Sequence, residues 1–496
     1  MHVVLVSDRG PVRFAGQIED PVPEFCSGSV TALLHRVAGA AGYPVAWLAP
    51  STSATDGHAM RRGLFGDLAG QLGYSPQVVL IDKQEYDRYY LDTGVEIIWS
   101  AWHGIEDDVP VRTAADRWLA PLASYKHVNQ RMAERVAQQA APAAVVAVQD
   151  YQLMLAPAMI RALRPDVRLV HFSHTPFPDA GSLAGVPAPL LRSLVHGMLG
   201  ADLLGFQRAQ WADRFLRCCR RLGLDVDQER GWVRHDGRRI WVRCYPVSVD
   251  IPSLTDRART PEVGRWAART TADDRAMRIV RVDRLDPAKN ALRGFEAYSS
   301  LLRRHPALAR EARFVACLVP SRERLPSYQR YAARVRRMVD DINDRYPGAV
   351  MVHHGENQDR ALGVLRGYDV LLVNSVTDGM NLVAQEGPVI NTKDGAVVLS
   401  AGAGAADLLT GAVLLEQPRD VAATTDALAA ALALSPAERR NRAGRMRAAI
   451  VGMDAANWLD RQLSDVLAAA AGSAPTTQAP KCAPRSALPI LDAGLA

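Results

Sequence analysis

Short apolar runs, rich in β-branched residues, alternate along the chain with longer stretches in which apolar residues recur every third or fourth position. In the first half the runs are Val3–Ser7, Val45–Leu48, Val78–Ile81, Ile97–Trp99, Val145–Val148 and Leu169–Phe172. In the second half they are Ile279–Val282, Phe314–Val319, Val350–His353, Val370–Val373, Val397–Ser400 and Val413–Leu415. Apolar residues at successive positions require both faces of a strand to be covered. Such strands, separated by helical patterns, predict parallel sheets with helices on either side. Two series in succession predict an α/β protein of two doubly wound domains.

The join is expected between Val249 and Arg275, where Pro252, Pro261 and a polar stretch follow the strand-like Ile240–Val249. This gives a first domain over residues 1–250 and a second over 251–471, whose last helix is free to return to the first. Ser435-Pro436-Ala437-Glu438 has the form of a capping box with proline at the first helical position, so a helix is predicted to start there. From residue 472 to 496 the chain is rich in proline and poor in core residues, and a disordered tail is expected.

Composition narrows the classes. The 496 residues are 48% hydrophobic and 23% charged, which suits a soluble globular protein with material for two cores. No apolar run reaches the roughly 18 residues of a membrane span, and Met1–Ser7 leads directly into a strand, so a cytoplasmic protein without a membrane partner is expected. The six cysteines are scattered apart from the adjacent Cys218 and Cys219, and no CxxC pair exists. Neither a disulfide framework nor a thiolate metal site is indicated. The net charge is +6, and its densest cluster, Arg214, Arg217, Arg220 and Arg221, reads as a solvated helix face, so nucleic acid is not an expected partner. Of 59 basic residues only five are lysine, so a lysine within a motif signals that a compact ammonium is wanted there.

The general motifs for nucleotide and hydrolytic chemistry are absent: the sequence has no P-loop, no GxGxxG after the first strand, no GxSxG and no HExxH. Asp225-Val226-Asp227 has the form of a DxD metal motif but lies in a polar stretch that reads as a loop. His171 and His174 lack a third ligand, and no metal or cofactor is expected. More telling is Arg281-Val282-Asp283-Arg284-Leu285-Asp286-Pro287-Ala288-Lys289-Asn290. It puts Arg284 and Lys289 just past the carboxyl end of the first strand of the second domain, where open α/β sheets bind ligands. A guanidinium and an ammonium together suit a diphosphate. Asp378-Gly379-Met380-Asn381-Leu382-Val383-Ala384-Gln385-Glu386 follows the Val370–Val373 strand in the same way. Its carboxylates Asp378 and Glu386 suit sugar or ribose hydroxyls, and its glycine and helix start suit ligand oxygens. Gly402-Ala403-Gly404 is either a packing turn or a second helix start open to a phosphate. Ser7–Pro11, Gln149–Gln152 and His174–Pro178 end strands in the first half, where a cleft between domains would open.

Taken together, SDRGP (7–11), IWSAWH (98–103), QDYQL (149–153), HTPFP (174–178), LLGFQ (203–207), YPVSVD (245–250), DRLDPAKN (283–290) and DGMNLVAQE (378–386) resemble the trehalose-6-phosphate synthase family of retaining glycosyltransferases. The resemblance runs from about Val3 to Leu467. It implies a GT-B fold, two Rossmann-like domains facing across a cleft, and metal-independent transfer of a hexose from a nucleotide sugar (UDP or GDP) to a phosphorylated sugar or cyclitol. It implies that Arg284 and Lys289 hold the diphosphate and that His174, Asp378 and the amides near Met380, Asn381 and Leu382 hold the donor sugar. Glu386 would take the ribose, and Gly28 would lie on the loop that closes on the donor. Arg9, Tyr90, Trp99, Asp150 and Arg322 would contact the acceptor. No enzyme nucleophile is implied; catalysis would be electrostatic and positional. Departures occur at Ser27–Val30, Gln149, Gln152, Asn290 and Thr377, and they leave the acceptor open. Similar departures mark a branch resembling validoxylamine 7'-phosphate synthase, a pseudoglycosyltransferase that joins cyclitols through nitrogen. A non-catalytic sugar-phosphate sensor on the same fold is a further alternative. The donor base and the oligomeric state, a homo-oligomer included, stay open.

Overall fold

The structure, a computed structural model, describes residues 1–26, 29–105, 119–183, 186–270, 277–453 and 457–479. Its strands are β1 (Val3–Val6), β2 (Val12–Gly16), β3 (Pro21–Phe25), β4 (Val45–Ser51), β5 (Ser75–Leu80), β6 (Val145–Gln149), β7 (Arg168–Ser173), β8 (Leu203–Phe206), β9 (Asp225–Asp227), β10 (Trp232–His235) and β11 (Arg238–Cys244) in the first half. The second half contributes β12 (Met277–Arg284), β13 (Ala312–Val319), β14 (Val350–His354), β15 (Val370–Val373), β16 (Ala396–Ser400) and β17 (Val413–Leu415).

The first sheet has the order β5-β4-β1-β6-β7-β8-β11-β10-β9, and only its last two strands run antiparallel to their neighbours. The second is a parallel sheet of order β14-β13-β12-β15-β16-β17. In each, the chain winds outward one way from its first strand and then returns to wind the other way. The reversals fall between β1 and β6 and between β12 and β15. Crevices for ligands open beyond the carboxyl ends of strands at such reversals.

Alternation along the strands explains the covering layers. In β1, Val4 and Val6 face a core that includes Val128, Met132 and Val136 of the helix Leu119–Gln139, while Val3 and Leu5 face Leu33, Leu34 and Val37 of the helix Ser29–Gly39. The final helix, Trp458–Ala470, lies on that second face. Trp458 meets Phe172 edge to face at 4.7 Å and donates to the Tyr245 carbonyl at 2.9 Å, and the Tyr245 hydroxyl donates to Asp465 at 2.7 Å. The stretch between the sheets is not a bare linker. Helices Ile251–Ala258 and Pro261–Thr270 fill it, each with proline in its first turn. The capping box at Ser435 and Glu438 is formed.

Three expectations change. Ile97–Trp99 is not a strand; it ends a wide, π-type helical stretch over Arg88–Trp99, because three consecutive apolar residues fit a buried helix as well as a strand. Asp225–Asp227 is an edge strand rather than a loop, with Asp225 paired to Arg234 across β10 at 3.0 Å. Part of the stretch expected to be disordered is placed: Pro475 is buried, and Thr476 and Thr477 donate three hydrogen bonds to Asp465.

That contact can be tested. Ending the chain at Gly472 instead of Ala479 strips three donors from a fully buried carboxylate. A buried acceptor losing partners costs about 1–3 kcal/mol. The shorter chain should therefore melt a few degrees below the longer one in calorimetry, and equal melting would show that the contact contributes nothing.

Candidate active site

The site begins with a buried arginine. Arg281 of β12 has no exposed surface, and its Nε donates to Asp283 at 3.0 Å while Nη1 donates to Asn374 beyond β15 at 2.8 Å. Its Nη2 donates to the Lys289 carbonyl, which fixes the turn after the strand. That turn, Pro287–Lys289, is capped by Asp286, whose carboxylate accepts from the Ala288 amide at 3.0 Å. Asn290 ends it with φ of 60°, a left-handed conformation that asparagine tolerates better than most residues other than glycine.

Lys289 is thereby aimed across the gap to β15. Its Nζ lies 2.5 Å from Asp378 and 3.8 Å from Asp283. Asp378 also accepts from Ser375 at 3.1 Å and Asn381 at 2.8 Å. Burial alone would raise its pKa, but Lys289 outweighs this and holds the carboxyl at about 2, so it is ionised. The helix Leu382–Ile390 starts at this point, with Asn381 (φ 57°) as its cap, so its positive end faces the same space. The loop approaches its neighbours too closely for side chains. A Cβ on Gly379 would lie 2.6 Å from the His174 carbonyl, and one on Gly404 would lie 2.6 Å from the Gly379 carbonyl. The Gly402–Gly404 turn is thus a packing turn, and it leads into a short 3-10 turn, not an α-helix. Glu386, in the second turn of the helix, has no hydrogen-bond or ion-pair partner among the described residues, and burial pushes its pKa up to about 7.

Opposite stand the strand ends of the first domain. Asp150, with φ of 68°, follows β6 and accepts from the amides of His174 and Thr175 and from the Thr175 hydroxyl, each at 3.1 Å. Its pKa is raised to about 6: burial outweighs these donors. His174 is enclosed between Phe172 and Trp458, with ring centroids 4.7 and 5.7 Å away, and its Nε2 lies 3.0 Å from the Gln149 amide oxygen. Burial, and then the neighbouring His171, lowers its pKa to about 3, so the ring is neutral. After β1, Asp8 accepts from the hydroxyls of Tyr89 at 2.9 Å and Tyr86 at 3.2 Å; its pKa rises to about 6 through burial. The exposed Arg9 stands beside Tyr90, which stacks on Tyr86 at 5.7 Å.

The two sides meet at Trp99. Arg322 of the second domain lies over its indole at 4.2 Å and Arg284 at 5.4 Å, while His103 stacks on it at 3.7 Å. Arg322 donates to Asp286 at 2.6 Å and to the Tyr328 hydroxyl at 2.7 Å, and Trp99 donates to Asp286 at 3.4 Å. Further ties lie alongside. Arg208 pairs with Asp407 and donates to the carbonyls of Ala401 and Ala403 at 2.9 and 3.1 Å, and Gln385 accepts from Ser248 and from the Val249 amide.

Of the residues singled out in the sequence, Lys289 meets Asp378, which also meets Asn381; Arg284 and Arg322 lie over Trp99; Asp150 accepts from the His174 amide; and Arg9 stands beside Tyr90. Two of the cations are more engaged than their motifs suggest: Lys289 is paired with Asp378, and Arg322 gives Nη1 to Asp286 and Tyr328. Arg322 sits in the loop just beyond β13. Gly28 lies outside the described residues. Sequence reasoning passed over Arg281, Asp286, His103, Tyr151 and Tyr328. All of these but Tyr328 stood inside quoted motifs, yet nothing local marked them as partners of residues far along the chain.

The family model described as Glycosyltransferase family 20 matches residues 28–468. A trehalose-6-phosphate synthase from Mycobacterium avium is 34% identical over 407 residues, covering 79% of this chain and 80% of that protein. Among solved structures, the trehalose-6-phosphate structure from E. coli bound with UDP-2-fluoro glucose superposes with a TM-score of 0.80 at 24% identity, over 94% of this chain and 99% of the other. An α,α-trehalose-phosphate synthase (UDP-forming) from Burkholderia xenovorans in complex with glucose-6-phosphate gives a TM-score of 0.80 at 23% identity, with 94% and 100% coverage. The two facing Rossmann-like domains are those of the GT-B fold, and the chain belongs to glycosyltransferase family 20.

Proposed function

We propose that this glycosyltransferase moves a hexose, with retention, from a UDP-sugar to a phosphorylated sugar, with glucose 6-phosphate as the first acceptor to test. The observation that carries the reading is Lys289 on Asp378, with Arg284 ending β12 and the positive end of the helix Leu382–Ile390, all at the reversal of the second sheet. A departing diphosphate needs positive charge fixed in place before the bond breaks, and these groups supply it. Ionised Asp378 would accept from a donor-sugar hydroxyl and Glu386 from the ribose. Neutral His174, held by Gln149, would contact the donor sugar without adding charge.

Arg9, Tyr90, Trp99, Asp150 and Arg322 would form the acceptor side. The attacking hydroxyl would then approach the face from which the diphosphate leaves, its proton passing to the departing phosphate oxygen. The relatives' names, and the UDP-2-fluoro glucose and glucose-6-phosphate of the two solved structures, support these substrate classes. Release of nucleotide diphosphate, measured across UDP- and GDP-glucose paired with several sugar phosphates and their free sugars, tests it. Turnover confined to a UDP-sugar with a phosphorylated acceptor is expected, and no release from any pair would overturn it.

Arg284 and Lys289 should separate in their effects on stability. Arg284→Ala should lower kcat by about 10²–10³ with a smaller change in melting temperature than Lys289→Ala, since Arg284 lies over Trp99 at 5.4 Å and acts on the buried Asp286 only through space. Lys289→Ala should lose as much activity and also melt earlier, because it leaves Asp378 buried without its counter-ion. Near-normal turnover in both variants would refute the diphosphate assignment.

Glu386 gives a pH signature. Its folded pKa of about 7 means that the neutral acid dominates below that pH and the carboxylate above it. If the carboxylate accepts ribose hydroxyls, UDP affinity should rise with pH, by roughly tenfold between pH 6 and 8 from this group. Glu386→Gln should retain only the dependence belonging to the diphosphate. Identical pH profiles for parent and variant in calorimetry would remove Glu386 from the site.

A further inference from the structure

Asp286 has no exposed surface and stands where the two domains touch. Its Oδ2 accepts from Arg322 Nη1 at 2.6 Å and the Tyr328 hydroxyl at 3.3 Å. Its Oδ1 accepts from the Ala288 amide at 3.0 Å and from the Trp99 indole at 3.4 Å. Burial pushes its pKa up, but Arg322, and then Arg284, pull it down further, so the carboxylate is ionised. One charge thus gathers an indole from the first domain, an arginine and a tyrosine from beyond β13, and the turn that carries Lys289.

The effect on Arg322 is directional. Its backbone is held at φ of 50°, and its guanidinium lies over Trp99 at 4.2 Å. Nη1 is committed to Asp286 and Tyr328; among the described residues Nη2 makes only a 3.5 Å contact to the Tyr151 hydroxyl, and Nε has no partner. The edge formed by Nε and Nη2 is therefore the part of the fork left for a second anion, and that edge can grip a phosphate with two parallel hydrogen bonds.

We propose that Asp286 is a positioning residue for the acceptor phosphate. It anchors one end of Arg322 so that the other edge is presented, and it locks the Trp99 platform beneath. Because Trp99 belongs to the opposite domain, this arrangement is complete only when the cleft is closed, which couples acceptor binding to closure over the donor. The inference rests on the acceptor reading given above.

Calorimetry on the full chain tests it, with glucose 6-phosphate and inorganic phosphate as probes, each with and without saturating UDP. Asp286→Asn should weaken glucose 6-phosphate by about tenfold or more, as expected for loss of a charge-assisted anchor. It should also shrink the factor by which UDP tightens that binding, while UDP alone binds as in the parent. A merely structural role would not single out that factor. Tyr328→Phe, which removes only a hydroxyl from the same cluster, should weaken glucose 6-phosphate by a smaller factor, and it decides the matter if Asp286→Asn does not fold. Parent-like affinity and coupling in the folded variants, alongside lost affinity in Arg322→Ala, would overturn the role of Asp286 alone. Retained affinity in Arg322→Ala, or a parent that binds neither probe, would overturn the acceptor reading and this inference with it.

Discussion

An ammonium held between carboxylates in a nearly closed interior is what the second domain is organised around. Lys289 is 12% exposed, and it lies 2.5 Å from Asp378 and 3.8 Å from Asp283. Arg281, fully buried, completes the set by pairing with Asp283. Single charges at such depth would be expelled or neutralised; two cations and two carboxylates in contact can stay ionised. The balance depends on β12 and β15 being neighbours, since Arg281 and Lys289 come from the first and Asn374 and Asp378 from beyond the second. The reversal of sheet order is thus what makes the charge cluster possible.

The contact between domains is of a different kind. It is made by a few long polar side chains that find backbone carbonyls and carboxylates on the far side. Arg208 holds the Gly402–Gly404 region from below, and Gln385 closes on the chain at Val247–Val249. Among the described residues, a small apolar cluster of Val95, Leu325 and Tyr328 joins the domains near the acceptor side, with Ala288 and Leu382 packed against the first domain's cores. Hydrogen bonds of this kind fix register without burying a large apolar area, so an interface of this type can open and close around ligands.

Two departures from the family pattern have local explanations. Asn290 occupies a left-handed position and also donates to the carbonyls of Asn374 at 3.0 Å and Pro418 at 2.6 Å, so it adds bonds that glycine could not. Gln149 meets His174 through its amide oxygen, which takes Nε2 as donor, and burial keeps the ring neutral. Among the described residues the side chain of Gln152 has no such role, and only its carbonyl is used, by Asn129.

Sequence alone determined the two α/β series and the motifs that follow their strands, because burial on both faces and turns after strands leave local marks. It misread Ile97–Trp99, where three apolar residues carry no period, and Asp225–Asp227, whose strand exists only because β10 lies beside it. It named Arg284, Lys289, Asp378 and Trp99 but not what they would touch. Asp286 and Arg322 are 36 residues apart, Trp99 and Asp286 are 187 apart, and Arg208 and Asp407 are 199 apart. No period or spacing encodes such pairs. Sheet order and the closing of one domain on the other decided them, since a buried charge takes whichever partner the fold delivers within reach.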